Sequence, residues 1–219
     1  MRDLKQVGRE RYGLALVLIL ASMIFIMAAP EGRWSLVMSL ALQGGALLAA
    51  LRAAQSDHRL RIACEITVAL ALLSSITMAG FDTHFGQLFV RGASLVLVVV
   101  GIPIIARGVM RQVKDKQQIT IHTMMGVLCI YLLMAMAFAS GFGLIHEISD
   151  SPFFRQGDGA DRLSNYLYFS LTTITTAGLG DFAPAENLGR SLTAAEALIG
   201  QIYLVTVVAV IVANLGRKR

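Results

Sequence analysis

Thr172-Thr173-Ile174-Thr175-Thr176-Ala177-Gly178-Leu179-Gly180-Asp181 lies between two long apolar segments near the C-terminus. The threonines lead into two glycines with only Leu179 between them, and an acid follows at once. Glycine takes positive φ at little cost, whereas a residue with a Cβ loses roughly 1–2 kcal/mol there. Glycines at alternate positions suit a backbone that swings between ordinary and left-handed angles. Such a backbone aims successive carbonyls the same way, as a ladder of oxygens able to replace the water around a cation. A glycine-rich turn between helices is the plainer reading, but it requires neither the threonine run nor the flanking helices.

The rest of the chain reads as a membrane protein. It has 219 residues, 56% hydrophobic and 15% charged, with a mean hydropathy of +0.67. Soluble domains carry about 25% charged residues. Cys64 and Cys129 both sit in apolar runs and read as reduced small hydrophobes. The four histidines show no metal-ligand spacing, so no metal site is expected. A helix needs about 20 apolar residues to cross the hydrocarbon core. Six segments qualify or come close: Gly13–Ala29, Trp34–Leu51, Ile62–Ala79, Leu88–Ala106, Ile121–Ile145 and Ser191–Ala213. Leu163–Gly180 is too short and too polar to span. The first helix reads as a retained signal anchor, since no small-residue cleavage site follows it.

Charge gives the orientation. Cytoplasmic loops are enriched in Lys and Arg. With the N-terminus inside, the inside segments hold Arg2, Lys5, Arg9, Arg11, Arg52, Arg59, Arg61, Arg107, Arg111, Lys114, Lys116, Arg217, Lys218 and Arg219, which is fourteen of the 19 basic residues. The outside keeps Arg33, Arg91, Arg155, Arg162 and Arg190. Six crossings with both ends inside follow. The net charge of +5 then reflects topology. No basic patch with interleaved aromatics points to nucleic acid.

The threonine-glycine run resembles the selectivity filter of the tetrameric P-loop potassium channels, whose pore loops carry a Thr-Val-Gly-Tyr-Gly core. The matching core here is Thr176-Ala177-Gly178-Leu179-Gly180, with Thr175 before it and Asp181 after it. The resemblance implies an all-α transmembrane fold, with six helices, a re-entrant pore helix and a filter on the axis of a homotetramer. It implies K⁺ ligands from the carbonyls of Thr176, Ala177, Gly178 and Leu179, plus the Thr176 hydroxyl. Ala177 stands where the family has Val, and Leu179 where it has Tyr. The family's Tyr hydroxyl braces the filter from behind, and Leu179 has none. A weakly selective monovalent cation channel is therefore the alternative to a potassium-selective one. A non-conducting channel-like membrane subunit is a third reading.

Around the filter, Asp161 stands where the N-cap of a helix over Leu163–Thr173 falls. That helix would turn its partially negative C-terminal end toward the pore. Tyr166, Tyr168 and Phe169 either pack it or form an interfacial belt. Glu196 is an acid in the first turns of the last helix. Intramembrane acids are costly and usually functional. It either hydrogen-bonds behind the filter or meets headgroups or Arg190. Gly200 falls where the family often has a gate hinge; a close packing contact is the other reading. Gln201 faces either the cavity or a neighbouring helix. The region between the last two helices holds Glu147, Asp150, Asp158, Asp161, Asp181 and Glu186 against Arg155, Arg162 and Arg190, a balance that concentrates cations at an outer mouth.

The chain divides into a cytoplasmic N-terminus (1–12), a four-helix sensor-like domain (13–106), an interfacial linker helix (107–120) and a pore domain (121–219). Leu88–Ala106 carries Arg91 at its outer end and no further basic residue before Arg107. Voltage sensing by a charged helix is not expected. Gly101 and Pro103 are expected to kink this helix. Arg107, Arg111 and Lys114 share one face of the linker; Val109, Met110 and Val113 share the other. No phosphate loop, nucleophile elbow or paired catalytic carboxylates appear, so no enzyme and no cofactor beyond K⁺ in the filter is expected. The expected partners are a lipid bilayer, monovalent cations and three copies of the same chain. The expected location is a cell membrane, of a prokaryotic inner-membrane type. Gating through a cytoplasmic C-terminal domain is not expected.

Overall fold

The computed structural model describes residues 12–28, 33–53, 62, 65–66, 68–69, 73, 84–116, 121–149, 151–157, 160 and 162–214. Its named helices are α1 (Tyr12–Ala28), α2 (Arg33–Ala53), α3 (His84–Lys116), α4 (Ile121–Ile148), α5 (Leu163–Ile174), α6 (Asn187–Tyr203) and α7 (Ala209–Ala213), with a π-helical turn, Leu204–Val208, joining the last two. No strand is named among the described residues, and Phe154 and Pro184 form an isolated antiparallel bridge.

Among the described residues, three helices are long and apolar enough to cross a membrane: Arg91–Arg111 within α3, Ile121–Ile148, and the continuous run Asn187–Ala213. The apolar cores of α1 and α2, Tyr12–Ala28 and Val37–Arg52, are shorter. At 1.5 Å per residue, the 17 residues of α1 reach about 26 Å, just under the ~30 Å of hydrocarbon. The expected third crossing, Ile62–Ala79, lies largely outside the described residues.

Two boundaries differ from the sequence reading. α3 runs without a break from His84 to Lys116, through Pro103 and across the expected start of a separate linker at residue 107. A proline removes one backbone bond and crowds the preceding turn, but apolar helices tolerate this where neighbours support the freed groups. On the extension, Val109 is buried, while Met110, expected on the same face, lies exposed beside Arg107 and Arg111. The N-cap position of α5 is Arg162, in extended conformation and with no side-chain cap bond. Asp161, expected there, lies outside the described residues.

α4 is the hub and packs against α1, α3, α5 and α6. Its contact with α1 uses Tyr12, Ala15, Ile19, Met23 and Ile26, a buried stripe at helical spacing. Cys129 is buried in α4 as a free thiol, its Sγ 3.8 Å from the Tyr12 carbonyl. The last helix is the opposite case. Leu198, Ile202, Val205 and Val210 are exposed in the single chain, although the segment is as apolar as α4.

Candidate functional site

α5 is a short helix held deep in the fold. Tyr166, Leu167, Phe169, Ser170, Thr173 and Ile174 are buried. Its N-terminal half sits in an aromatic cluster. Tyr166 stacks on Phe154 at 5.2 Å between ring centroids, and Phe154 meets Phe169 at 5.3 Å and Phe182 at 5.0 Å. Each such pair contributes about 0.5–1.5 kcal/mol beyond area burial. Of the two readings for Tyr166 and Phe169, packing is the one observed.

The segments before and after the threonine-glycine run are tied to each other. Arg155 N–H donates to the Ala183 carbonyl at 2.9 Å, and Ala185 N–H donates to the Phe153 carbonyl at 2.8 Å. The Gln156 amide also donates to the Asp181 carbonyl. Phe153 and Arg155 are thus tied to Ala183 and Ala185, with α5 and the run between them.

The run leaves the C-terminal end of α5. Thr175 ends the helix, and its hydroxyl turns back to the Leu171 carbonyl at 2.6 Å. Thr176 N–H donates to the Thr173 carbonyl at 2.9 Å, and Gly178 N–H donates to the Thr172 carbonyl at 3.0 Å. Positive φ then recurs at every second residue: Thr176 at 59°, Gly178 at 51° and Gly180 at 80°. Ala177 and Leu179 between them have ordinary φ. The glycine alternation is the one expected from the sequence. Thr176 extends it to a β-branched residue, for which left-handed φ is a genuine outlier. Strain of this kind, of order 1–3 kcal/mol, persists where the surroundings enforce it and clusters at functional sites.

Residues Thr175–Asp181 are exposed in the single chain. A Cβ at Gly178 or Gly180 would meet nothing within 4 Å. The Leu179 side chain is 65% exposed. Behind Asp181, the carboxylate accepts a hydrogen bond from Tyr168 and so raises that phenol above its ordinary value of 10.0. The phenol therefore keeps its proton through neutral pH. Whatever stability the contact adds is present below pH 10 and is lost only as pH rises through the elevated value. Tyr168→Phe removes the donor and frees the Asp181 side chain. The expected outcome is faster run-down of ion flux in proteoliposomes, with the assembly unchanged by size-exclusion chromatography.

Toward its C-terminal end, α5 is pinned by three contacts. Ser170 Oγ donates to the Ala135 carbonyl of α4 at 2.6 Å and also contacts Glu196 Oε1 of α6. Glu196 is fully buried, so it meets neither headgroups nor Arg190, whose Nε reaches the Pro184 carbonyl. Its Oε2 has no hydrogen-bond partner among the described residues. The Tyr131 hydroxyl donates to the Ile174 carbonyl at 2.9 Å, and the Tyr131 ring stacks on Tyr203 at 5.9 Å.

Gly200 is buried against that same carbonyl. A Cβ there would lie 2.4 Å from the Ile174 oxygen and 2.5 Å from its Cγ1. The structure thus shows the packing contact at Gly200. The departure from α geometry falls just below it, at Leu204–Val208. Gln201 is exposed in the single chain. Of the acidic outer residues, Glu147 is paired with Arg91 at 3.1 Å. Asp150, Asp158 and Asp161 lie outside the described residues.

The structure therefore gathers Thr175 to Asp181 on one loop, with Glu196 and Gly200 behind the helix that feeds it. Sequence reading did not single out Ser170, Tyr131 or Gln156. None belongs to a local motif, and only the tertiary packing brings them to the loop.

No curated protein and no solved structure matches the chain. Residues 119–217, which hold α4, α5, the threonine-glycine run and the last helix, match a family model described as an ion channel. That similarity, over a segment with two of the three described helices able to span a bilayer, indicates an ion-channel segment in a membrane.

Proposed function

We propose that this chain is one subunit of a homotetrameric, potassium-selective channel, with Thr176, Ala177, Gly178 and Leu179 lining its filter. The observation that carries the reading is the alternation of left-handed φ at Thr176, Gly178 and Gly180, at the C-terminal end of a buried short helix. Alternation of this sort is the backbone condition for a carbonyl ladder. The end of α5 adds a partial negative charge beside it. One chain supplies one loop, and a ring of oxygens needs several. The exposed run and the exposed apolar face of the last helix are the surfaces that further copies would cover.

A second reading, a weakly selective cation channel, is favoured by Leu179. Its side chain is largely exposed and has no hydroxyl to bond behind the filter. Purified protein in liposomes separates the readings. The selective channel gives Tl⁺ or K⁺ flux blocked by Ba²⁺ and a reversal potential that follows the K⁺ gradient. A reversal near zero in opposed K⁺ and Na⁺ selects the weaker filter, and absence of flux from intact assemblies defeats both. Gly178→Ala must hold an alanine at φ 51°, at a cost of about 1–2 kcal/mol per subunit. It is expected to abolish flux while the particle size stays that of the native assembly.

A further inference from the structure

Arg91 is the one Lys or Arg of α3 before Arg107, on a helix from which no voltage sensing is expected. In the structure it is fixed on the pore unit itself. Its Nη2 pairs with Glu147 Oε1 at 3.1 Å, and its Nη1 donates to the Gly143 carbonyl at 3.1 Å. Its guanidinium carbon lies 5.7 Å from the centroid of the Tyr166 ring, over the face of that side chain. The Arg91 and Glu147 side chains are 13% and 8% exposed. A guanidinium is planar, always charged and carries five donors, so it can hold a carboxylate, a carbonyl and a ring face together. Lysine, a point charge on a flexible stem, cannot do all three.

The backbone beside it is shaped for this contact. A Cβ on Gly143 would lie 2.8 Å from Arg91 Nη1 and 3.4 Å from the Tyr166 ring. Glycine at 143 is what lets the guanidinium reach the carbonyl. One turn further along α3, Ser94 donates to Gln43 Oε1 at 2.7 Å and lies 3.4 Å from Ser140 Oγ, so α3 is tied to α4 at two successive levels.

We propose that Arg91 is a positioning residue for conduction: a fixed clamp by which α3 sets the pore helix α5 from its outer end. This rests on the channel reading above. The path is short and physical. Arg91 covers Tyr166, Tyr166 stacks on Phe154, and Phe154 packs on Phe182 just after the glycine run. Displacing the guanidinium takes the ion pair from the nearly buried Glu147 carboxylate and uncovers the outer half of α5. α3 then acts as a static buttress. A charge held by the pore's own helix cannot also travel across a membrane field.

Single-channel recording in planar bilayers tests the clamp, because open probability per channel does not depend on how many molecules folded. Arg91→Gln is expected to lower open probability roughly fivefold or more, with the reversal potential unchanged. Gly143→Ala, which leaves Arg91 and Glu147 in place, is expected to give the same loss, and the double variant no further loss. Arg91→Lys is expected to fall between. The exchange Arg91→Glu with Glu147→Arg restores an ion pair but neither the Gly143 bond nor the cation over Tyr166. It is expected to recover thermal stability without recovering open probability. Should Arg91→Gln not fold, Arg91→Lys and Gly143→Ala carry the test. Wild-type protein that passes no current sinks the channel reading. Wild-type current with unaltered open probability in Gly143→Ala and Arg91→Lys, or full recovery in the exchanged pair, overturns the clamp alone.

Discussion

Gly200→Ala is expected to dismantle the site more completely than any other single methyl group added to the last helix. The new Cβ would sit 2.4 Å from the Ile174 carbonyl oxygen. That oxygen is backbone at the end of α5, and it already accepts the Tyr131 hydroxyl. It cannot swing aside as a side-chain tip would. Either α6 moves outward or α5 does, and each move breaks the Ser170 contacts one turn away. Overpacking of this kind costs about 1–3 kcal/mol. Here the strain falls on the element that feeds the glycine run, so loss of flux should exceed what the stability loss alone gives. Thermal unfolding of detergent-solubilised protein and liposome flux, measured on the same sample, check this. Native stability with native flux would show that α5 and α6 are not in contact as described.

Ser170→Ala is expected to produce the second large effect. Ser170 has one hydroxyl proton and two acceptors, the Ala135 carbonyl and Glu196 Oε1. The Ala135 carbonyl keeps its helical N–H when the hydroxyl is removed, but Glu196, fully buried, then has no partner for either oxygen among the described residues. A buried polar group left unsatisfied costs about 1–3 kcal/mol, more if charged. The expected loss is about 2–3 kcal/mol of stability. Glu196→Gln makes the informative contrast. Its amide offers either a donor or an acceptor to Ser170 and is expected to stay close to wild type. Urea titration of the two variants decides it; equal losses would mean that Ser170 and Glu196 do not act through each other.

The loop that matters was the most legible part of the chain. Gly178 and Gly180 state a backbone requirement that few other patterns share, and the structure gives both positive φ. Thr176 shares that conformation. It was not legible as such, because local preference argues against a β-branched residue there and only the surrounding bonds impose it. Gly200 carried two readings, since a mid-helix glycine looks the same in a hinge and in a contact. What separates them is the distance to Ile174, 26 positions earlier. Arg91 was read as a lone charge at a helix end. Its partners Gly143, Glu147 and Tyr166 lie 52 to 75 positions away in sequence, and no periodicity links them. Phe153 and Phe154 were not singled out either, because the rings that bury them, Tyr166 and Phe182, come together only in the fold. The break expected near residue 107 did not occur, because proline and arginine mark a boundary only where no neighbouring helix carries the chain onward.

The π-helical turn at Leu204–Val208 inserts one surplus residue into an otherwise continuous rod. Winding that residue back into α geometry would rotate everything beneath it by about 100° and push it about 1.5 Å further along the axis, away from Gly200. Val210 and Val212 would then face different surroundings, while Gly200 stayed against the Ile174 carbonyl. The segment below residue 204 is thus built like a camshaft under a fixed bearing, its side chains re-aimed by one change of winding while the contact above holds.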